Sequence, residues 1–135
     1  MKSSSALHLA LGDAGEQKAL GFLQRRGYRI LDRNVRAGGV ELDLVVRRGR
    51  VLAFVEVKTR SSQRAGLPEL AVNSRKQYRL THGAEAWLRT HRHVGLRPRF
   101  DVIACEVSGF RTSQERWAIR HFKDAFEAYG DGASF

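Results

Sequence analysis

Residues 40–58 read Val-Glu-Leu-Asp-Leu-Val-Val-Arg-Arg-Gly-Arg-Val-Leu-Ala-Phe-Val-Glu-Val-Lys, and their reading decides the fold. Two apolar runs, Val40–Val46 and Val51–Lys58, flank a short Arg-Arg-Gly-Arg break, the signature of a β-hairpin. Side chains alternate faces along a strand. A hairpin symmetric about Arg48–Gly49 pairs Val46 with Val51, Asp43 with Phe54 and Glu41 with Glu56. One face then carries Leu42, Leu44, Val46, Val51, Ala53, Val55 and Val57; the other carries Glu41, Asp43, Phe54, Glu56 and Lys58.

That second face gathers three carboxylates and one lysine in an otherwise apolar hairpin. Like charges facing each other across a ladder are unfavourable, so Glu41, Asp43 and Glu56 call for a compensating cation. Lys58 supplies one charge, and a divalent metal supplies more. Mg2+ is commonly held by one or two carboxylates together with water and substrate phosphate. On the residues alone two readings stand: a metal site, or a polar strand face laced by an ordinary salt bridge.

The chain has 135 residues, 42% hydrophobic and 28% charged, and reads as one domain over 1–135 with loose ends near 1–6 and 130–135. Lys and Arg number 24 against 14 Asp and Glu, a net charge of +10 that favours a polyanionic partner, nucleic acid before an anionic membrane surface. No basic amphipathic helix supports the membrane reading, and no apolar run approaches the ~18 residues of a span. The single cysteine, Cys105, excludes an intrachain disulfide and reads as a small buried hydrophobe in a strand. The expected location is the cytoplasm.

Upstream of the hairpin, Leu7–Arg26 has helical periodicity and stops at Gly27, a natural C′ glycine. Glu16 shares a face with Leu20 and Leu23, so it points inward, toward a cation, or lies at the edge of the stripe and reaches solvent. Gly12 and Gly15 beside it allow a close backbone approach. Tyr28–Val35 reads as a strand, and Arg36–Gly39 as a loop. After the hairpin, Thr59–Gly66 reads as a mobile basic loop.

Ser74-Arg-Lys-Gln77 matches a capping box opening a second helix to about His91, with Leu80, Ala84, Trp87, Leu88 and His91 as its buried stripe. Lys76 falls on the inner face, placed to meet a phosphate or carboxylate, whereas Arg75, Arg79 and Arg89 read as outer-face solubilisers. His91 and His93 have no third partner at metal spacing and read as surface residues. Phe100–Val107 and Arg116–Phe122 read as strands, and Lys123–Tyr129 as a short terminal helix. The order of helix, strand, hairpin, helix, strand, strand, helix predicts an α/β fold, a mixed sheet of about five strands flanked by helices.

Glu16 in a first helix, Asp43, and Glu56-Val57-Lys58 together resemble the metal-dependent PD-(D/E)xK nuclease fold shared by restriction endonucleases and Holliday-junction resolvases. More closely, the chain resembles the YraN-like family of small uncharacterised bacterial proteins. The matching pieces are Gly12-x-x-Gly15-Glu16-x-x-Ala19, Gly27-Tyr28, Arg33-Asn34-Val35-Arg36, Glu41-Leu-Asp-Leu44, Phe54–Arg60, Lys76-Gln77 and Arg99-Phe-Asp-Val102. They run from about residue 8 to residue 128. One position departs: Val40 stands where that family usually has glycine, with glycines at 38 and 39.

The resemblance implies a restriction-endonuclease-like sheet and a DNA endonuclease dependent on Mg2+ or Mn2+, acting on branched or otherwise structured DNA. Asp43, Glu56 and Glu16 would be metal ligands, and Lys58 would orient or deprotonate the attacking water. Glu41 would support the ligands from outside the coordination sphere. Arg33, Arg36, Arg60, Arg64 and Lys76 would grip the nucleic-acid backbone. Resolvases of this fold work as dimers, which makes a homodimer the expectation. The alternative is a catalytically silent nucleic-acid-binding protein of the same fold. A retired nuclease is expected to have lost Asp43, Glu56 or Lys58, and none is missing.

Overall fold

The structure, a computed structural model, describes residues 4–62 and 72–128. Its elements are α1 (Ser4–Arg25), β1 (Arg29–Ala37), β2 (Val40–Arg48), β3 (Val51–Ser61), α2 (Ser74–Thr90), β4 (Arg97–Ser108) and β5 (Arg116–Phe126). The strands form one sheet in the order β1-β2-β3-β4-β5, and β3–β4 is its one parallel pair. Parallel neighbours need a crossover, and α2 lies within that connection. The mixed five-stranded sheet with flanking helices is the architecture expected.

Each helix covers one face. Ala19 and Leu23 of α1 pack on Leu44, Val46, Ala53, Val55 and Ile103. Leu80, Ala84 and Trp87 of α2 pack on Val40, Leu42, Val45, Leu52 and Phe54. A sheet covered on both sides needs central strands apolar at nearly every position, which is why Leu52–Val55 and Val102–Cys105 read as unbroken runs. Helix α1 ends as its sequence requires: Gly27 takes φ 86° while its amide donates to the Gln24 carbonyl and that of Tyr28 to the Leu23 carbonyl, both at 3.0 Å, a Schellman cap. Cys105 is buried, and burial pushes its thiol up to about 11. Among the described residues no helix is long and apolar enough to cross a membrane.

Several local expectations are corrected. The hairpin turns on Gly49–Arg50, with Arg48 opposite Val51 and Val46 opposite Ala53, because Gly49 takes the first turn position at φ 60°. Asp43 is therefore not opposite Phe54, nor Glu41 opposite Glu56. Leu42 packs with Val40 beneath α2, not on the α1 face with Leu44. Thr59–Ser61 continue β3, paired with Cys105–Val107; residues 63–66 of the expected loop lie outside the described residues, as do 1–3 and 130–135 of the expected loose ends.

Asn73 caps α2, its Oδ1 accepting from the Lys76 amide at 2.9 Å; the Gln77 side chain instead donates to the Val72 carbonyl at 2.6 Å. His91 is not part of the buried stripe but an exposed C-cap stacked on Trp87 at 3.8 Å. Lys123–Phe126 extend β5 instead of forming a helix. Asp124 at φ 54° kinks the strand, and Phe126 stacks on Phe100 at 4.6 Å.

Candidate functional site

The β2–β3 ladder stops at Leu44 and Val55. Just beyond, Asp43 Oδ2 accepts a hydrogen bond from the Val57 amide at 2.9 Å. A side chain thus takes the role of a main-chain acceptor, and the two strands splay apart. The face alternation of β2 slips at the same place: Val40 and Leu42 lie under α2, Leu44 and Val46 under α1. Across the ladder, between the pairs Arg33–Leu44 and Val35–Leu42, Asn34 is left-handed at φ 50°. This kink, which re-aims the side chains around it, holds Asp43 at the opening.

Glu56 precedes Val57 and meets Asp43. The two carboxyl groups stand close enough for each to bear on the other's proton. Burial first, then the neighbouring Asp43 charge, push Glu56 up to about 7, with Lys76 opposing. Burial likewise raises Asp43, partly offset by the Val57 amide and Lys76. Glu16 arrives from α1, brought close by Gly15. A Cβ at residue 15 would overlap Thr59 Oγ1 and stand 2.7 Å from its Cβ, so only glycine lets the helix sit this near β3. Burial and the Asp43 charge raise Glu16 too, opposed by a hydrogen bond from Asn34 and the charge of Arg33. Glu16, Asp43 and Glu56 line one open cleft of about 400 Å3, together with Gly12, Asp13 and Thr59.

The expected cations are placed unequally. Lys76 Nζ lies 3.4 Å from Glu56 Oε1, on a side chain half exposed. Lys58, partly buried, falls on the Glu56 side of β3 by alternation but is not among the residues lining the cleft. Arg33 bears on Glu16, Arg36 donates to the Gly39 carbonyl at 2.9 Å, and Arg60 pairs with Glu106 at 3.1 Å. Arg64 lies outside the described residues. Glu41 is exposed, and its charge adds to the upward push on Asp43.

The donor chemistry fits a hard divalent cation held by two carboxylates, with water filling the other positions: a cation between them would offset the Asp43 charge that helps to raise Glu56. Among the described residues no group of three His, Cys, Asp or Glu side chains is gathered closely enough to form a fuller set.

Sequence reasoning passed over Asn34 as a site residue. Its signal was weak, an Asn inside a strand pattern, although Asn is the residue type that best tolerates a left-handed backbone after glycine.

Residues 15–105 match the model of the uncharacterised protein family UPF0102. The chain belongs to that family. It is 52% identical over 119 residues to a UPF0102 protein of Trichlorobacter lovleyi, covering 87% of this chain and 91% of that one. It is 43% identical to those of Geobacter metallireducens, over 87% of this chain and 93% of that one, and Syntrophotalea carbinolica, over 90% and 95%. The UPF0102 match takes in Glu16, Asn34, Asp43, Glu56, Lys58 and Lys76, so the whole cleft lies within it.

Proposed function

We propose that this UPF0102 protein is a divalent-metal-dependent endonuclease that hydrolyses phosphodiester bonds in DNA. The observation carrying the reading is the buried Asp43–Glu56 pair at the splay of β2 and β3: Asp43 is held by the Val57 amide, and Glu56 is pushed up by burial and the Asp43 charge, at the edge of an open cleft. Asp43 and Glu56 would hold Mg2+ or Mn2+, with Glu16 facing the bound water from α1. When bound, the metal supplies charge neutralisation on the phosphate. The Val57 amide keeps Asp43 in place, and Lys58 orients the attacking water as its oxygen joins phosphorus and the opposite phosphorus–oxygen bond breaks. Lys76, held beside Glu56, is within reach of a phosphate at the cleft.

A second reading, a nucleic-acid-binding protein without turnover, is favoured by one observation: no third carboxylate joins the pair closely enough to complete a ligand set among the described residues. A cleavage screen over single-stranded, duplex, flapped and branched DNA, with Mg2+ and with Mn2+, separates the two. The endonuclease reading expects cleavage of at least one substrate that disappears with EDTA and in Asp43→Asn. Binding without cleavage under every condition overturns it in favour of the second.

A further inference from the structure

Residues Arg75, Tyr78, Arg79 and His82 recur at the spacing of one helical face, and all four are exposed along α2. Arg75 and Arg79, with Lys76, also line a groove of about 500 Å3 whose opposite wall is β2 at Val40 and Glu41. Lys76 on the groove wall connects it to the cleft, its Nζ 3.4 Å from Glu56 Oε1. The first turn of α2 contains no acidic residue. Arg75 and Lys76 in that turn oppose the helix dipole, Arg79 one turn on adds to their mutual repulsion, and among the described residues neither Arg75 nor Arg79 has an ion pair. Among the described residues, Glu41 is the one carboxylate on the groove wall. An arrangement that works against the helix yet faces a groove fits a polyanion laid along it. Two of the arginines that the sequence nominates for that task are engaged elsewhere, Arg36 with Gly39 and Arg60 with Glu106.

Tyr78 narrows the partner. The residue is 54% exposed, between the two arginines on the same face. A base within a duplex hides both π-faces, whereas an unpaired base can stack on an exposed aromatic while neighbouring cations hold the backbone. Arg75 and Arg79 stand ~6 Å apart along the helix axis, comparable to the spacing of successive phosphates on one strand.

We propose that this groove binds a single DNA strand, with an unpaired base stacked on Tyr78 and phosphates on Arg75 and Arg79, and feeds it toward the Asp43–Glu56 cleft. The proposal rests on the DNA substrate proposed above and narrows it to DNA that presents unpaired bases.

The test is a fluorescence-anisotropy titration of the full chain with labelled oligothymidylate and with a blunt duplex, in EDTA. Tyr78→Ala is expected to weaken the single strand about tenfold, since one base–aromatic stack is worth ~1–3 kcal/mol, and to leave the duplex within about twofold. Tyr78→Phe should bind as the original protein does. Arg75→Gln with Arg79→Gln should lower the salt slope for the single strand by roughly 0.7 for each phosphate that is no longer neutralised. Equal weakening on both DNAs, or no weakening in Tyr78→Ala, overturns the proposal, as does an original protein that ignores oligothymidylate. The readout needs no cleavage, so a protein that binds the strand through Tyr78 yet never cuts overturns only the endonuclease reading. Cleavage retained with an indifferent Tyr78 overturns only this one.

Discussion

Asn34 stands across the β1–β2 ladder from Asp43, and its side chain bears on Glu16, opposing the rise of that carboxyl. One residue therefore ties the helix carboxylate to the kink that exposes the strand carboxylate. The two roles separate by substitution. Asn34→Gly keeps the left-handed backbone at no steric cost and deletes only the amide; Asn34→Ala also strains the backbone by about 1–2 kcal/mol. Both should bind Mg2+ more weakly than the original protein, because Glu16 loses the amide that favours its charged form. Asn34→Ala alone should also melt measurably earlier. Calorimetric Mg2+ titrations and melting curves check this; unaltered Mg2+ affinity in Asn34→Gly would remove Asn34 from the site.

Asp43 holds the Val57 amide and repels Glu56 at once, so charge and hydrogen bond can be dissected. Asp43→Asn retains an oxygen for Val57 and relieves the repulsion; its melting temperature without metal should equal or exceed that of the original. Asp43→Leu leaves the amide buried and unsatisfied, at a cost of about 1–3 kcal/mol. Mg2+ should stabilise the original by mass action and neither variant. A structural salt-bridge network would give the opposite pattern: Asp43→Asn melting early and no response to Mg2+ in any of the three.

The Glu56 carboxyl sits near 7 in the folded chain against an ordinary 4.5. The folded state therefore binds its proton more tightly than the unfolded one. The stabilisation this provides is complete below about 4.5 and is lost as pH rises through about 7, by at most roughly 3 kcal/mol. Metal-free protein should accordingly be less stable at pH 8 than at pH 5. Glu56→Gln, which cannot ionise, should flatten the difference. Urea unfolding of both proteins in EDTA at the two pH values measures it, and equal pH dependence in the two would show that Glu56 is not the group responsible.

Much of this was legible in sequence because hydrophobic alternation and helical spacing are set by burial: the hairpin, the inner stripe of α2 short of His91, and the stop at Gly27 follow from it, whereas spacing alone left Glu16 open between the core and solvent. The hairpin register did not follow, since a shift of two residues leaves every side chain on the same face and only the turn decides. The slip at Asp43 was hidden for another reason. It arises from a carboxylate replacing a main-chain acceptor, which no periodicity records. The last strand was concealed by composition, as Lys123–Tyr129 has the makeup of a helix end. Pairing with β4 and the Phe126–Phe100 stack override that preference. Helix spacing places Arg75 and Arg79 on the outer face but does not reveal the β2 wall opposite them.

The same limit concealed the most buried charge in the fold. Asp101, fully buried, accepts from Arg99 Nε and Nη2 at 2.8 Å each, lies 2.8 Å from His121 Nε2, and accepts from the Asp124 amide at 3.0 Å. Burial by itself would raise this carboxyl, but the hydrogen bonds from His121, Arg99 and the Asp124 amide outweigh it and hold it below the ordinary range. Its stabilisation is thus fully present above the ordinary value near 3.8 and is lost as pH falls below it. Asp101→Asn keeps the shape but turns an NH2 toward donors and leaves the Arg99 guanidinium without its counter-charge, which should cost about 3–5 kcal/mol. The melting temperature should then fall by on the order of 10–20 °C. None of these bonds touches Asp43 or Glu56, so the variant, kept below its own melting point, should still gain from Mg2+ the increment that the original gains. Melting curves of both proteins with and without Mg2+ decide the matter. Loss of the Mg2+ increment together with the stability would mean that the network shapes the cleft, and an unchanged melting temperature would mean that it does not hold the fold.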